Sequence, residues 1–109
     1  LPIWICPIRA PPPGAETALY PLPRGTLSVN FGFWDTVRSQ EPRERGFVNR
    51  KIERKTTALG GIKSLYSDSY FGEDEFWSIY NRPAYEALKA RYDPEHALGD
   101  LYAKCVLHG

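Results

Sequence analysis

The sequence predicts an α+β fold, with a small antiparallel sheet packed with helices. Two strand-like runs fall in the first third of the chain, at 3–8 and 26–37. Helical spacing with clear start and stop residues then takes over from residue 42 onward. Pro and Gly gather between these runs and mark the connections. At 109 residues the chain suits one domain.

The elements follow in order. Ile3, Trp4, Ile5, Cys6 and Ile8 form a β-branched apolar run between Pro2 and Pro7, a first strand. Residues 10 to 25 carry five prolines and two glycines, and Pro11-Pro12-Pro13 favours an extended, solvated loop. Thr26 to Val37 alternates, with Leu27, Val29, Phe31 and Phe33 on one side and Ser28, Asn30 and Gly32 on the other. Period two predicts a half-buried strand with the apolar side inward. Gly32 reads as a bulge or as a point of close approach by backbone or ligand. Pro42 is placed to open a helix whose stripe is Val48, Ile52, Thr56 and Leu59, and Gly60-Gly61 stops it.

Residues 62 to 69 alternate again and predict a third strand carrying Tyr66 and Asp68 on one face. Glu73, Asp74 and Glu75 stand at the start of a further helix, where acids suit the positive end of the dipole. Pro83 begins another helix with Tyr85, Leu88 and Tyr92 inward, and the stems of Lys89 and Arg91 lie along those rings with their charges in water. Asp93-Pro94 ends it, because a residue before proline avoids helical geometry. Asp100 caps a short last helix.

Bulk properties exclude several classes. Net charge is +1, so no long-range field gathers nucleic acid or anionic lipid. The basic face around Arg50, Lys51, Arg54 and Lys55 is interleaved with Glu44 and Glu53 and reads as a solvated surface, or one turned toward a domain not in this chain. No apolar run reaches membrane-span length. Leu1-Pro2-Ile3-Trp4 does not resemble a signal peptide. Cys6 and Cys105 therefore read as free thiols of a cytoplasmic protein, and no spacing suggests a metal site. The absence of Met is expected of the last part of a longer protein.

No Gly-rich phosphate loop and no nucleophile elbow is present, and neither His96 nor His108 sits in a nucleophile or metal frame. The 109 residues alone do not specify an enzyme. What stands out is the density of large rings between Tyr66 and Tyr92, a segment that suits a core or the wall of a ligand site.

Four motifs in that half carry a resemblance. Asn49-Arg50-Lys51-Ile52-Glu53 precedes Leu59-Gly60-Gly61; then come Leu65-Tyr66-Ser67-Asp68-Ser69-Tyr70, Glu75-Phe76-Trp77, and Leu88-Lys89 with Tyr92-Asp93-Pro94. In this order they resemble the C-terminus of FAD-linked oxidases of the vanillyl-alcohol oxidase type, most of all the delta-24-sterol-reductase-like branch. The resemblance spans about residues 45 to 106. One departure is His96, where many relatives carry Asn two residues beyond Asp-Pro.

The resemblance implies that residues 1–109 are the C-terminal part of a substrate or cap domain, with the FAD-binding domain upstream and absent here. FAD would belong to the full-length protein, not tightly to this piece, and the partners would be that domain and a small-molecule substrate. Tyr66, Tyr70 and Asp68 are then the candidate catalytic groups. The phenols orient substrate oxygen, and Asp68, between them on one strand face, positions a proton or orders Tyr66. Tyr66, Lys63 and His96 are the candidate cofactor contacts, Lys63 as a cation for reduced anionic flavin. A core Tyr and a loop-capping Asp are the competing structural readings of these residues. The rival functional reading is a stand-alone module binding a protein or single-stranded nucleic acid through its aromatic face.

Overall fold

The structure is a computed structural model that describes residues 2–15 and 19–108. It is α+β: a two-stranded antiparallel sheet followed by helices. The strands are β1 (Ile3–Ile8) and β2 (Ser28–Phe33), and the helices are α1 (Phe47–Ala58), α2 (Glu73–Ile79) and α3 (Arg82–Tyr92). A terminal π-helical turn covers Ala103–Leu107.

The hairpin pairs Ile3 with Phe33, Ile5 with Phe31 and Pro7 with Val29 on one face. Trp4–Gly32, Cys6–Asn30 and Ile8–Ser28 form the other. The register runs through Gly32 without interruption, so the bulge expected there is absent. The first strand also continues past Pro7, which is tolerated where a strand has only one neighbour. The apolar side of β2 is not buried as its alternation predicts. Val29, Phe31 and Phe33 face solvent, and the Ser28–Asn30–Gly32 side is the less exposed one. Among the described residues nothing buries the hairpin's apolar face.

The core is aromatic. Phe71, Phe76, Trp77 and Tyr80 are buried, and Tyr85 and Tyr102 pack against them. Phe76 meets Trp77 edge-on at 5.0 Å between ring centres and Tyr80 at 4.7 Å. The ring-dense segment is thus chiefly core, with Tyr66 and Tyr92 left exposed.

Helix α1 begins five residues later than Pro42 predicts. Gly46 adopts a left-handed backbone (φ 79), which ends any helical run through it. The Tyr70 ring fills the space where a side chain at Gly46 would sit. The predicted stripe of α1 is not its buried side either. Ile52 and Leu59 are exposed, and the one buried residue is Glu53. The predicted stop is present. Gly60 is left-handed (φ 72), its N–H donates to Thr57 O at 2.9 Å, and Gly61 N–H donates to Thr56 O at 2.9 Å, a Schellman closure.

Residues 62 to 69 do not form the predicted third strand. Their backbone groups are satisfied by side chains and a distant carbonyl. Ile62 O accepts from the Tyr20 hydroxyl at 2.9 Å, and Lys63 O accepts from the Tyr80 hydroxyl at 2.6 Å. Ser69 N–H donates to Cys105 O at 3.1 Å. With those partners the segment needs no neighbouring strand.

The later elements follow the sequence closely. Acids fill the first turn of α2. Asn81 caps α3 by accepting from Ala84 N–H at 3.4 Å, one residue ahead of the helix and two ahead of Pro83. Asp93 closes α3; its carboxylate takes N–H groups from Ala97 (2.7 Å) and Leu98 (3.3 Å) and the Lys89 ammonium at 2.5 Å. Lys89 therefore does not hold its charge in open water, as its sequence position suggests. Asp100 caps the last turn through Tyr102 and Ala103 N–H at 2.8 and 3.1 Å. Cys6 and Cys105 are free and partly buried.

Candidate functional site

Strand β2 and helix α1 leave an open cleft of about 1570 Å³ between them. Val48, Ile52 and Thr56 of α1 form one wall, and β2 from Ser28 to Phe33, with Val29 and Phe31 among its residues, forms the other. The apolar stripe read in α1 thus lines this cleft instead of the core. The loop carrying Lys63, Ser64, Tyr66 and Ser67 closes one side. Small-molecule pockets run to roughly 300–1,000 Å³ and enclose most of their ligand, so this cleft is too large and too open to be a finished one.

Tyr66 stands over Gly32. A methyl group added to Gly32 would meet the Tyr66 hydroxyl at 3.6 Å, an ordinary van der Waals contact, so the phenol lies against this stretch of β2. Tyr66 is 68% exposed, with its hydroxyl available to a ligand. Neither of the two roles read for Gly32 is required by the geometry, since its nearest neighbours are the Tyr66 hydroxyl and Trp4 Cβ at ordinary contact distance.

Lys63 lines the cleft, but its ammonium is occupied. It donates to Ser69 Oγ at 2.9 Å, Ser67 O at 3.1 Å, and Ser64 O and Ser67 Oγ at 3.3 Å. Burial lowers its pKa, opposed by the charges of Glu53, Cys105 and Asp68. It acts as the pin of its own loop while lending positive potential to the cleft wall.

The remaining candidates lie outside the cleft. Tyr70 is packed on Gly46, and its N–H donates to Glu53 Oε1 at 2.9 Å. Asp68 is exposed, 3.4 Å from Arg45 Nη2 and 4.0 Å from His108 Nε2. The expectation that Asp68 shares a strand face with Tyr66 and Tyr70 fails, because the segment is a loop. His96 sits in the turn after α3 with a left-handed backbone (φ 52), its N–H on Asp93 O at 3.0 Å. The structure brings Tyr66 and Lys63 together and leaves Tyr70, Asp68 and His96 apart from them.

Sequence reasoning missed the support behind this loop. Glu53 is fully buried; it accepts from Tyr70 N–H and lies 3.3 Å from Arg50 Nη1, and Arg50 also binds Glu75. The Arg50 guanidinium lies over the Phe71 ring, 5.4 Å from its centre. This group ties α1 to α2 and, through Tyr70 N–H, to the stretch before α2. Its visible trace was the Asn49–Glu53 motif, a charged stretch that looks solvated in isolation.

The donors present suit the face of a flat aromatic ring: one phenol, several hydroxyls and apolar side chains. They suit a dinucleotide's phosphates less well, since of the two lining cations Lys63 is committed to its loop and Arg43 is paired with Glu41 at 2.7 Å. Among the described residues no three or more His, Cys, Asp or Glu stand together to hold a metal ion. No described helix is long and apolar enough to cross a membrane.

This α+β unit with its open cleft is similar in sequence to a class of reductases. Its similarity extends to the Delta(24)-sterol reductases. The human protein is 26% identical over 110 aligned residues, covering 94% of this chain and 20% of the relative. The rat and mouse proteins are each 27% identical over the same shares. The resemblance to the sterol-reductase-like branch read from the motifs therefore extends over nearly the whole chain. The chain spans about a fifth of the length of these relatives. No family profile matches the chain. No solved structure matches it.

Proposed function

We propose that this chain is the cap-domain portion of an FAD-dependent oxidoreductase, covering the flavin and shaping the substrate site, and inactive alone. The observation that carries this reading is similarity over 94% of the chain to a reductase of which it spans only 20%. The oversized cleft fits a site whose other wall lies on another body. Bound FAD would supply hydride or electron transfer. This chain's contribution is to orient and to exclude water. Tyr66 donates a hydrogen bond from its phenol to a substrate oxygen or a flavin edge. Lys63 holds the loop that presents Tyr66, and the Glu53–Arg50–Glu75 group holds the next turn of chain.

The rival reading, a module that stacks nucleic-acid bases, has less support. Most rings of the Tyr66–Tyr92 segment lie in the core or against it. Phe31 and Phe33 are exposed, but β1 and β2 carry no Lys or Arg for a phosphate backbone.

Fluorescence titration of the isolated chain with FAD tests the proposal. Weak, non-saturating quenching is expected; tight stoichiometric quenching would overturn it. In the longer protein Tyr66→Phe is expected to slow flavin reduction or weaken substrate binding. Unchanged values of both under stopped flow would remove Tyr66 from the site.

A further inference from the structure

We infer that Asn30 is a second ligand-binding residue of the cleft and holds the imide edge of the flavin ring, an inference that rests on the cap-domain reading. Asn30 pairs with Cys6 and Gly32 with Trp4, so these two β2 residues share one face of the hairpin. Tyr66 lies against Gly32 on that face, its hydroxyl 3.6 Å from where a Cβ would stand. Two steps of strand, roughly 6.6 Å, separate Asn30 from the point beneath the phenol. Both residues line the cleft.

The fold makes no use of this carboxamide. Asn30 is half-buried, yet its side chain has no hydrogen-bond partner among the described residues. No buried side-chain nitrogen or oxygen of the described residues is left unpaired, so the polar atoms of Asn30 open onto the cleft. Its neighbours along the strand are Val29 and Phe31, and across the hairpin stands Cys6, whose thiol turns to Pro7 O. Asn is also disfavoured in strands, where Val, Ile, Thr and the aromatic residues fit the pleat. A residue that costs strand propensity and bonds to nothing in its own chain serves something outside it.

The chemistry of the pair selects the ligand. A carboxamide offers an acceptor and a donor side by side in one plane, and the Tyr66 phenol adds a donor further along the same strand. Acceptor, donor and donor complement an edge on which one N–H stands between two carbonyls, and the imide edge of a flavin is such an edge. Asn reads adenine in nucleic acids through the same paired donor and acceptor. Neither group is charged, and the facing wall carries Val48 and Ile52, so a carboxylate or phosphate would lie there without a counter-charge. A merely solvated strand residue is the competing account, and it gives Asn30 no preference for any ligand.

The test uses the longer protein stripped of flavin and two probes, FAD and its N3-methyl analogue, which lacks the imide N–H. The parent is expected to bind FAD about tenfold tighter than the analogue, the worth of one hydrogen bond. Asn30→Leu is expected to bind both probes alike, having lost about tenfold toward FAD. Its melting temperature should equal or exceed the parent's, since Leu suits a strand better and no bond within the chain is lost. Asn30→Asp keeps the acceptor for the N–H and loses the donor, so it should still prefer FAD while binding both probes more weakly. A Leu variant that unfolds or melts well below the parent would show that the strand needs the carboxamide for itself, and would overturn the inference. A Leu variant that still prefers FAD, or a parent that binds both probes alike, would overturn it and leave the cap-domain reading intact. A longer protein that binds no FAD would remove that reading, and the role of Asn30 with it.

Discussion

Replacing Glu53 with alanine is the severest test of how this site is supported. Glu53 is fully buried and accepts from Tyr70 N–H at 2.9 Å and from Arg50 at 3.3 Å. Its removal leaves an amide without its acceptor and a guanidinium with only Glu75. Removing one partner of a buried pair costs roughly 3–5 kcal/mol. The Arg50 side chain is 24% exposed, so water recovers part of that, and about 3 kcal/mol is the expected loss. A domain of this size loses about 4–8 °C of melting temperature per kcal/mol, so a drop of about 12–24 °C is expected. Glu53→Gln keeps the acceptor for Tyr70 and should lose about half as much. Thermal unfolding followed by near-ultraviolet circular dichroism, which reports the Phe76–Trp77–Tyr80 packing, measures both. An alanine variant melting within about 3 °C of the parent would refute the view that this carboxylate anchors the loop.

Two further outcomes are expected. Tyr80→Phe removes the hydroxyl that serves Lys63 O at 2.6 Å and should cost about 1–2 kcal/mol in urea unfolding. Burial raises the Tyr80 pKa well above the ordinary 10.0, so the stability it contributes is whole below that value and drains away as pH rises beyond it. Alkaline titration should therefore unfold the parent chain more steeply above pH 10 than the Phe variant, and parallel curves would contradict this. Asp93 behaves in the opposite direction. Its pKa is lowered by Lys89 first and then by Leu98 and Ala97 N–H, so its contribution is present above the ordinary 3.8 and is lost as pH falls below it. Melting temperatures between pH 5 and pH 2 should fall more steeply for the parent than for Asp93→Asn, and equal slopes would show that Asp93 does not close α3 as described.

The readable parts of the fold were those decided within a few residues. Gly60-Gly61, the acids opening α2, Asp93-Pro94 and Asp100 each act on backbone groups at most five positions away, and each does what its residue type predicts. The site was only half legible for the same reason. Tyr66 and Lys63 both line the cleft. Tyr70 and Asp68 were grouped with Tyr66 on a strand pattern that does not form, and His96, taken from the resemblance, lies in the turn after α3.

By itself the sequence determined the helix boundaries from Gly60 onward, the two strands and their alternation, and the similarity to sterol reductases. Only the tertiary structure decided which side of each element faces inward. Alternation in 62–69 became a loop because Tyr20, Tyr80 and Cys105, from 17 to 42 positions away from their partners, supply its hydrogen bonds. A charged residue of α1 went inside because Arg50 and Tyr70 N–H meet it there. Period and propensity describe a chain's own faces, and burial depends on what distant residues place against them.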